Sequence, residues 1–164
     1  MEEDTCGYSL LTLAARHRNP DLLLLLKEKL PVAKVEALTA KADMNGLTCL
    51  HHVLRSETSL VERGVISEED GARRLSPDDS SVDCIRLLLD MRADAGRGDL
   101  VSATPLHWAA QFQSEAAERC SEILAEGMAD PGARDLFGRT AHEVRAMRRC
   151  AREELYKVNT YVFY

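Results

Sequence analysis

Five histidines and five cysteines are the residues of this 164-residue chain best suited to holding a metal or attacking a substrate. The densest group is His51-His52 close behind Cys49. Neighbouring residues on a helix point about 100 degrees apart, so the two rings cannot readily share one ion. Cys6, Cys49, Cys84, Cys120 and Cys150 are odd in number and widely spaced, with no Cys-x-x-Cys pair. They read as reduced, mostly buried small apolar residues. For Cys120 or Cys150 to act as a nucleophile, a base and an electropositive pocket are needed, and the sequence carries no signature for either. No catalytic constellation is expected, and no metal or cofactor. Arg97-Gly98-Asp99 spells the tripeptide that integrins read, but it sits in a turn-forming stretch without a secretion signal ahead of it, so coincidence is the better reading.

Composition narrows the classes further. A hydrophobic fraction of 45% with 29% charged residues is that of a soluble globular protein, and aromatics make up only 5%. The net charge of -6 is spread without a basic stripe, which leaves nucleic acid an unexpected partner. The start, Met1-Glu2-Glu3-Asp4, is acidic where a secretory or mitochondrial signal would be basic. The longest apolar run, Leu22 to Leu26, is too short to span a bilayer, so no membrane insertion is expected and a cytoplasmic or nuclear location is. Five successive helical residues sweep about 400 degrees, so at least one leucine of that run, Leu24 for instance, should face outward.

The residues must be positioned by something, and self-similarity supplies it. Segments 7–15, 46–54, 102–110 and 138–146 align on the hydroxyl residues Ser9, Thr48, Thr104 and Thr140. Thr104 before Pro105 is a helix start with a mechanism: the hydroxyl accepts from a free backbone N–H, and proline at the first helical position sacrifices no bond. Leu106, Ala109 and Ala110 then fall on one face, and the small alanines let a neighbouring helix approach closely. A second apolar helix follows each first one, over Asp21 to Lys29, Ser81 to Met91 and Ala116 to Glu126. Val82, Ile85, Leu88 and Leu89 are spaced for burial, and Ser80 to Asp83 fits a capping box. Charged, Gly-rich turns lead from each pair to the next.

Thr104-Pro105-Leu106-His107-x-Ala109-Ala110, with Asp99 before it and Gly127-x-Ala129-Asp130 after it, resembles the ankyrin repeat. The resemblance implies an all-α solenoid of stacked helix-turn-helix units joined by extended turns or short hairpins. The whole chain, 1–164, reads as one domain with repeats at about 4–42, 43–98 and 99–134 and a degenerate cap at 135–164. It departs from the family pattern at Ser102, which replaces glycine, at Leu10 and Cys49, which replace proline, and at His142 and Arg145 in the last unit. The resemblance also implies that His51 and His107 are structural, each bonded to the motif hydroxyl of Thr48 or Thr104. The second repeat carries an insertion, 55–79, with helix-start character at Ser67-Glu68-Glu69-Asp70 and a Ser76-Pro77 pair that is either a phosphorylation site or plain solvated loop.

For function, the resemblance implies a non-catalytic module, monomeric, that binds another protein as scaffold, adaptor or inhibitor. Its concave face and turn tips would present Tyr8, Arg16 and His17, then Met44, Asn45, Leu47 and Arg55. Leu100, Val101, Gln111 and Phe112 follow in the third unit, and Leu136, Phe137 and Arg139 in the fourth. Apolar residues there would form a desolvated centre with arginines at the rim. Trp108 is expected to pack between repeats. A second reading, motivated by the apolar ending Tyr161-Val162-Phe163-Tyr164, is a regulatory ankyrin portion of a larger enzyme, channel or ubiquitin-ligase adaptor.

Overall fold

The computed structural model describes residues 9–55 and 77–150. Among them lie eight helices: α1 Leu10–Arg16, α2 Pro20–Lys29, α3 Val32–Thr39, α4 Cys49–Leu54, α5 Asp79–Asp90, α6 Pro105–Ala109, α7 Glu115–Glu126, and α8 over 141–150. Tyr8, the insertion residues 56–76 with Ser67 and Ser76, and the ending from 151 lie outside the described residues.

Helix starts follow side-chain chemistry closely. Ser9, Asn19 and Ser114 each accept from the backbone N–H three residues on, and Pro20 and Pro105 occupy first-turn positions where no donor is lost. The box at α5 is made by Asp78 and Ser81, two residues earlier than the expected Ser80–Asp83, because a carboxylate at Asp78 captures the Ser81 N–H at 2.9 Å. Helix ends share a second device. Arg18, Arg92 and Met128 all adopt positive φ, and the following N–H groups of Asn19, Ala93 and Ala129 reach back to Ala14, Leu88 and Leu124. These are left-handed helix stops made without glycine. Gly127 serves packing instead: a Cβ there would fall 2.8 Å from Leu89 Cδ1.

The helices stack in two rows. α1, α4 and α6 pack on one another in sequence, α2, α5 and α7 do likewise, and each short helix packs on its longer partner. Between the rows lies the core, with Leu11, Leu23, Leu50, Leu54, Ile85, Leu88 and Leu124 fully buried. Ala14, Ala15, Ala109 and Ala110 are buried where helices meet, as small side chains permit. In α5, Val82, Ile85 and Leu88 are buried as expected, while Leu89 is half-buried. In the leucine run Leu24 faces outward as expected, at 43% exposure, and Leu25 with it at 47%, because Leu23 and Leu26 form the inward stripe with Leu22 partly buried beside them.

One element was not expected. α3 follows Pro31, packs on α1 and α2, and buries Val35, Leu38 and Thr39. It lengthens the first unit, and Arg97 Nη1 reaches the Ala40 carbonyl just past it at 2.6 Å.

Ser102 stands at φ 57, where Gly46 and Gly138 of the neighbouring loops stand at 74 and 75. A left-handed residue with a Cβ costs about 1 kcal/mol or more, partly offset by the greater unfolded freedom of glycine. Ser102→Gly is therefore expected to stabilise the chain by about 0.5 kcal/mol, read as a higher urea midpoint at unchanged slope. A lowered midpoint would refute the strain.

Candidate functional site

Three loops precede α4, α6 and α8, and each is organised by an aspartate. Asp43, Asp99 and Asp135 donate their own N–H to the carbonyl four residues on, at Leu47, Ala103 and Arg139. In return, one carboxylate oxygen of each accepts two backbone N–H groups. Asp43 takes Asn45 and Leu47 at 2.8 and 2.9 Å, Asp99 takes Val101 and Ala103 at 3.0 and 2.9 Å, and Asp135 takes Phe137 and Arg139 at 3.0 and 2.9 Å.

The other oxygen meets a different partner each time. Asp99 accepts from Trp108 Nε1 at 3.1 Å, and Asp135 from Arg139 Nε and Nη2 at 2.9 and 2.7 Å. Asp43 Oδ2 lies 3.1 Å from His52 Nε2, both side chains almost wholly buried. The Arg139 guanidinium, helped by the two backbone N–H groups, holds Asp135 below the ordinary carboxylate range. Burial pushes His52 down to about 4, with Asp43 pulling partway back.

Histidines connect the units. The backbone N–H and hydroxyl of Thr48 both converge on His51 Nδ1, at 3.1 and 2.9 Å, so that nitrogen is the unprotonated one. His51 Nε2–H then donates to the Ala103 carbonyl of the next loop at 3.0 Å. Thr104, His107 and the Arg139 carbonyl repeat the arrangement, with Nε2 to oxygen at 2.9 Å. Burial lowers the His51 pKa, which keeps the required neutral ring.

The loops are also bonded tip to tip. Leu100 N–H donates to Asn45 O at 3.2 Å, and Leu136 N–H to Val101 O at 2.8 Å. A Cβ on Gly46 would lie 2.9 Å from Leu100 N, so the first approach requires glycine. This registry displays a row of apolar tips: Met44 at 74% exposure, Leu100 at 71%, Leu136 and Phe137 at 69%, Val101 at 38%. Arg139 lies over the Phe137 ring, 4.7 Å from its centroid.

The remaining expected positions scatter. His17, Asn45 and Gln111 are exposed, while Arg16, Arg55, Phe112 and Arg139 are half-buried. Leu47 is a correction: it is buried at 5% exposure, because its N–H and carbonyl close the Asp43 loop and turn it inward. Trp108 is half-buried, edge-on to His51 at 6.0 Å. Asp43 and Asp135 were not singled out from the sequence. Their signal was available: an aspartate three residues before Gly46 or Gly138, matching Asp99 before Ser102.

Three of the described cysteines are shielded from nucleophilic chemistry. Burial raises the thiols of Cys49 and Cys84 to about 12 and of Cys120 to about 11, away from the reactive range. Cys150 is exposed. Among the described residues no group of three potential ligands could hold a metal, and no helix is long and apolar enough to cross a membrane.

With these motifs in place, the comparison with known families is specific. The ankyrin-repeat family model matches residues 103–136. That segment matches an ankyrin repeat, and the all-helical array of the described residues around it is consistent with an ankyrin-repeat solenoid. Among curated proteins nothing matches the chain. Ankyrin repeats are in general non-catalytic motifs of protein–protein interaction.

The buried histidines set a pH dependence. Folded His52 titrates at about 4, against an ordinary value of about 6.5. Between those values the unfolded chain binds the extra proton, so stability is full above about pH 6.5 and is lost as pH falls toward 4. The lowered pKa of His51 acts in the same direction. Urea midpoints should drop between about pH 7 and 4.5, and His52→Gln should make that drop shallower while lowering stability at neutral pH. An unchanged slope would remove His52 from the acid response.

Proposed function

We propose that this chain is a non-catalytic interaction module, a scaffold, adaptor or inhibitor, that holds a partner protein across its loop tips. The observation that carries the reading is the tip row itself. Met44, Leu100, Leu136 and Phe137 are each more than two-thirds exposed, on loops whose polar backbone is already satisfied internally. Large apolar side chains held outward on a bonded ladder supply the desolvated centre that hot spots need, and Arg139 beside Phe137 supplies a cation at its edge. Unpaired buried thiols at Cys49, Cys84 and Cys120 suit a reducing compartment, and we place the module in the cytoplasm or nucleus as a monomer.

Leu100→Ser with Phe137→Ser should remove capture of partners by at least about tenfold, equivalent to about 1.4 kcal/mol, without lowering the urea midpoint, because neither side chain is buried. Quantitative affinity capture of wild-type and doubly substituted chain checks it. Identical partner sets at identical yield would sink the tip-row reading.

A further inference from the structure

We propose that the partner presents an extended acidic segment, with apolar residues interspersed, to two grooves beside the loop tips; this rests on the interaction reading above. One groove, of about 460 Å³, is walled by Arg55, Leu100, Val101 and Trp108. The next, of about 350 Å³, is walled by His107, Gln111, Arg139, Met147 and Arg148. Each thus sets at least one arginine beside an apolar wall.

The charge of the chain is divided between its two helix rows. α1, α4 and α6 contain neither Asp nor Glu, and Arg16 is the only charged residue within them apart from histidines. On the other row, α7 exposes Glu115, Glu118, Glu122 and Glu126 against Arg119, and α5 exposes Asp79, Asp83 and Asp90 against Arg86, so both helices are net acidic. Among the described helices on the groove side, α8 alone carries an acid, Glu143, and its carboxylate is turned back onto the Thr140 N–H and hydroxyl.

Acids do line the grooves, at Asp99 and Asp135, but they are committed. Asp99 accepts from two loop N–H groups and from Trp108, and Asp135 from two loop N–H groups and the Arg139 fork. Arg139 is correspondingly neutralised, which leaves Arg148 as the uncompensated cation of the second groove, while in the first Arg55 shares the lining with Asp99, whose charge persists although its oxygens are filled. An acidic segment is attracted to the second groove, meets a cation without a free carboxylate oxygen in the first, and is repelled from the α5 and α7 faces, so one side of the array is selected. Each groove also brings apolar surface, Leu100 and Val101 in the first and Met147 in the second, which suits apolar side chains between the acids.

The test uses the full chain and a fluorescent peptide of about twelve residues in which glutamates alternate with leucine and glycine, read by anisotropy and stopped flow. Binding is expected, with an association rate that falls as salt rises. Affinity should drop about tenfold when the glutamates become glutamines, and about tenfold for Arg55→Glu with Arg148→Glu. The control Glu118→Lys with Glu122→Lys should not weaken binding, and thermal unfolding establishes that both variants are folded. Absence of binding up to about 1 mM overturns the proposal, as does equal affinity for the glutamine peptide. A single-stranded oligonucleotide that displaces the peptide and loses affinity in the same arginine variant also overturns it, in favour of a nucleic-acid groove. If Arg55→Glu with Arg148→Glu keeps captured partners that Leu100→Ser with Phe137→Ser loses, the acidic segment fails and the interaction module stands.

Discussion

In three successive loops a carboxylate oxygen accepts from the backbone two and four residues further along, and the aspartate that owns it donates its own N–H to the fourth residue's carbonyl. A loop reaching away from the helices has no ladder to satisfy its donors, and each one left unmet in a partly buried setting costs about 1–3 kcal/mol. The aspartate removes that cost locally. Closing the loop so tightly forces the third residue after the aspartate to positive φ, which Gly46 and Gly138 accept freely and Ser102 accepts under strain. Once the loops share one shape they share one pitch. Leu100 then meets Asn45, Leu136 meets Val101, and the rings of His51 and His107 find a carbonyl in the following loop.

Because the loops are held by backbone and aspartate, nothing in their folding dictates the residues at their tips. Met44, Leu100, Leu136 and Phe137 are exposed at no benefit to the core, and isolated exposed apolar residues would need no explanation. A row of them, placed in register by hydrogen bonds, is different, since every member of the row faces water together. The separation of tasks is what lets an interaction surface vary on a fixed scaffold.

Legibility in the sequence followed the locality of the cause. Thr104 through Ala110 could be read directly, because capping, the proline and the small-residue face are all encoded within seven positions, and the structure keeps each of them. The rows of helices were likewise legible from apolar spacing. α3 was not, since the helix is held by long-range packing on α1 and α2 rather than by a side-chain cap. Leu47 was misplaced for a similar reason: its inward direction is set by the Asp43 bonds, and Asp43 was not recognised as their source. Gly127 read as a turn glycine, whereas the left-handed residue is Met128 and the missing Cβ is required by Leu89 of the preceding unit. The tip row was legible as a set of positions through family resemblance, while its continuity depends on bonds between loops that no local pattern records.

The relay of side chains changes character at both ends of the described array. In the first unit Thr12 occupies the histidine position and its hydroxyl meets Ser9 at 3.0 Å, which closes the turn without an imidazole. In the last, Glu143 stands there, and its carboxylate turns back to the Thr140 N–H at 2.7 Å rather than forward to another loop. Those contacts hold Glu143 below its ordinary pKa, as a carboxylate at a helix start should be. Arg139 makes the same inward turn, serving Asp135 within its own loop where His52 and Trp108 serve the two preceding loops from their helices. Among the described residues, long-range bonding by histidine is thus confined to the second and third units, while the fourth reaches back through Leu136 N–H to Val101 O and through Arg145 to Ser121 Oγ. Leu136 and Phe137 are therefore presented on a loop braced twice, by Asp135 and Arg139 within it and by the Val101 carbonyl of the loop before it, so their outward position needs no packing from a following unit.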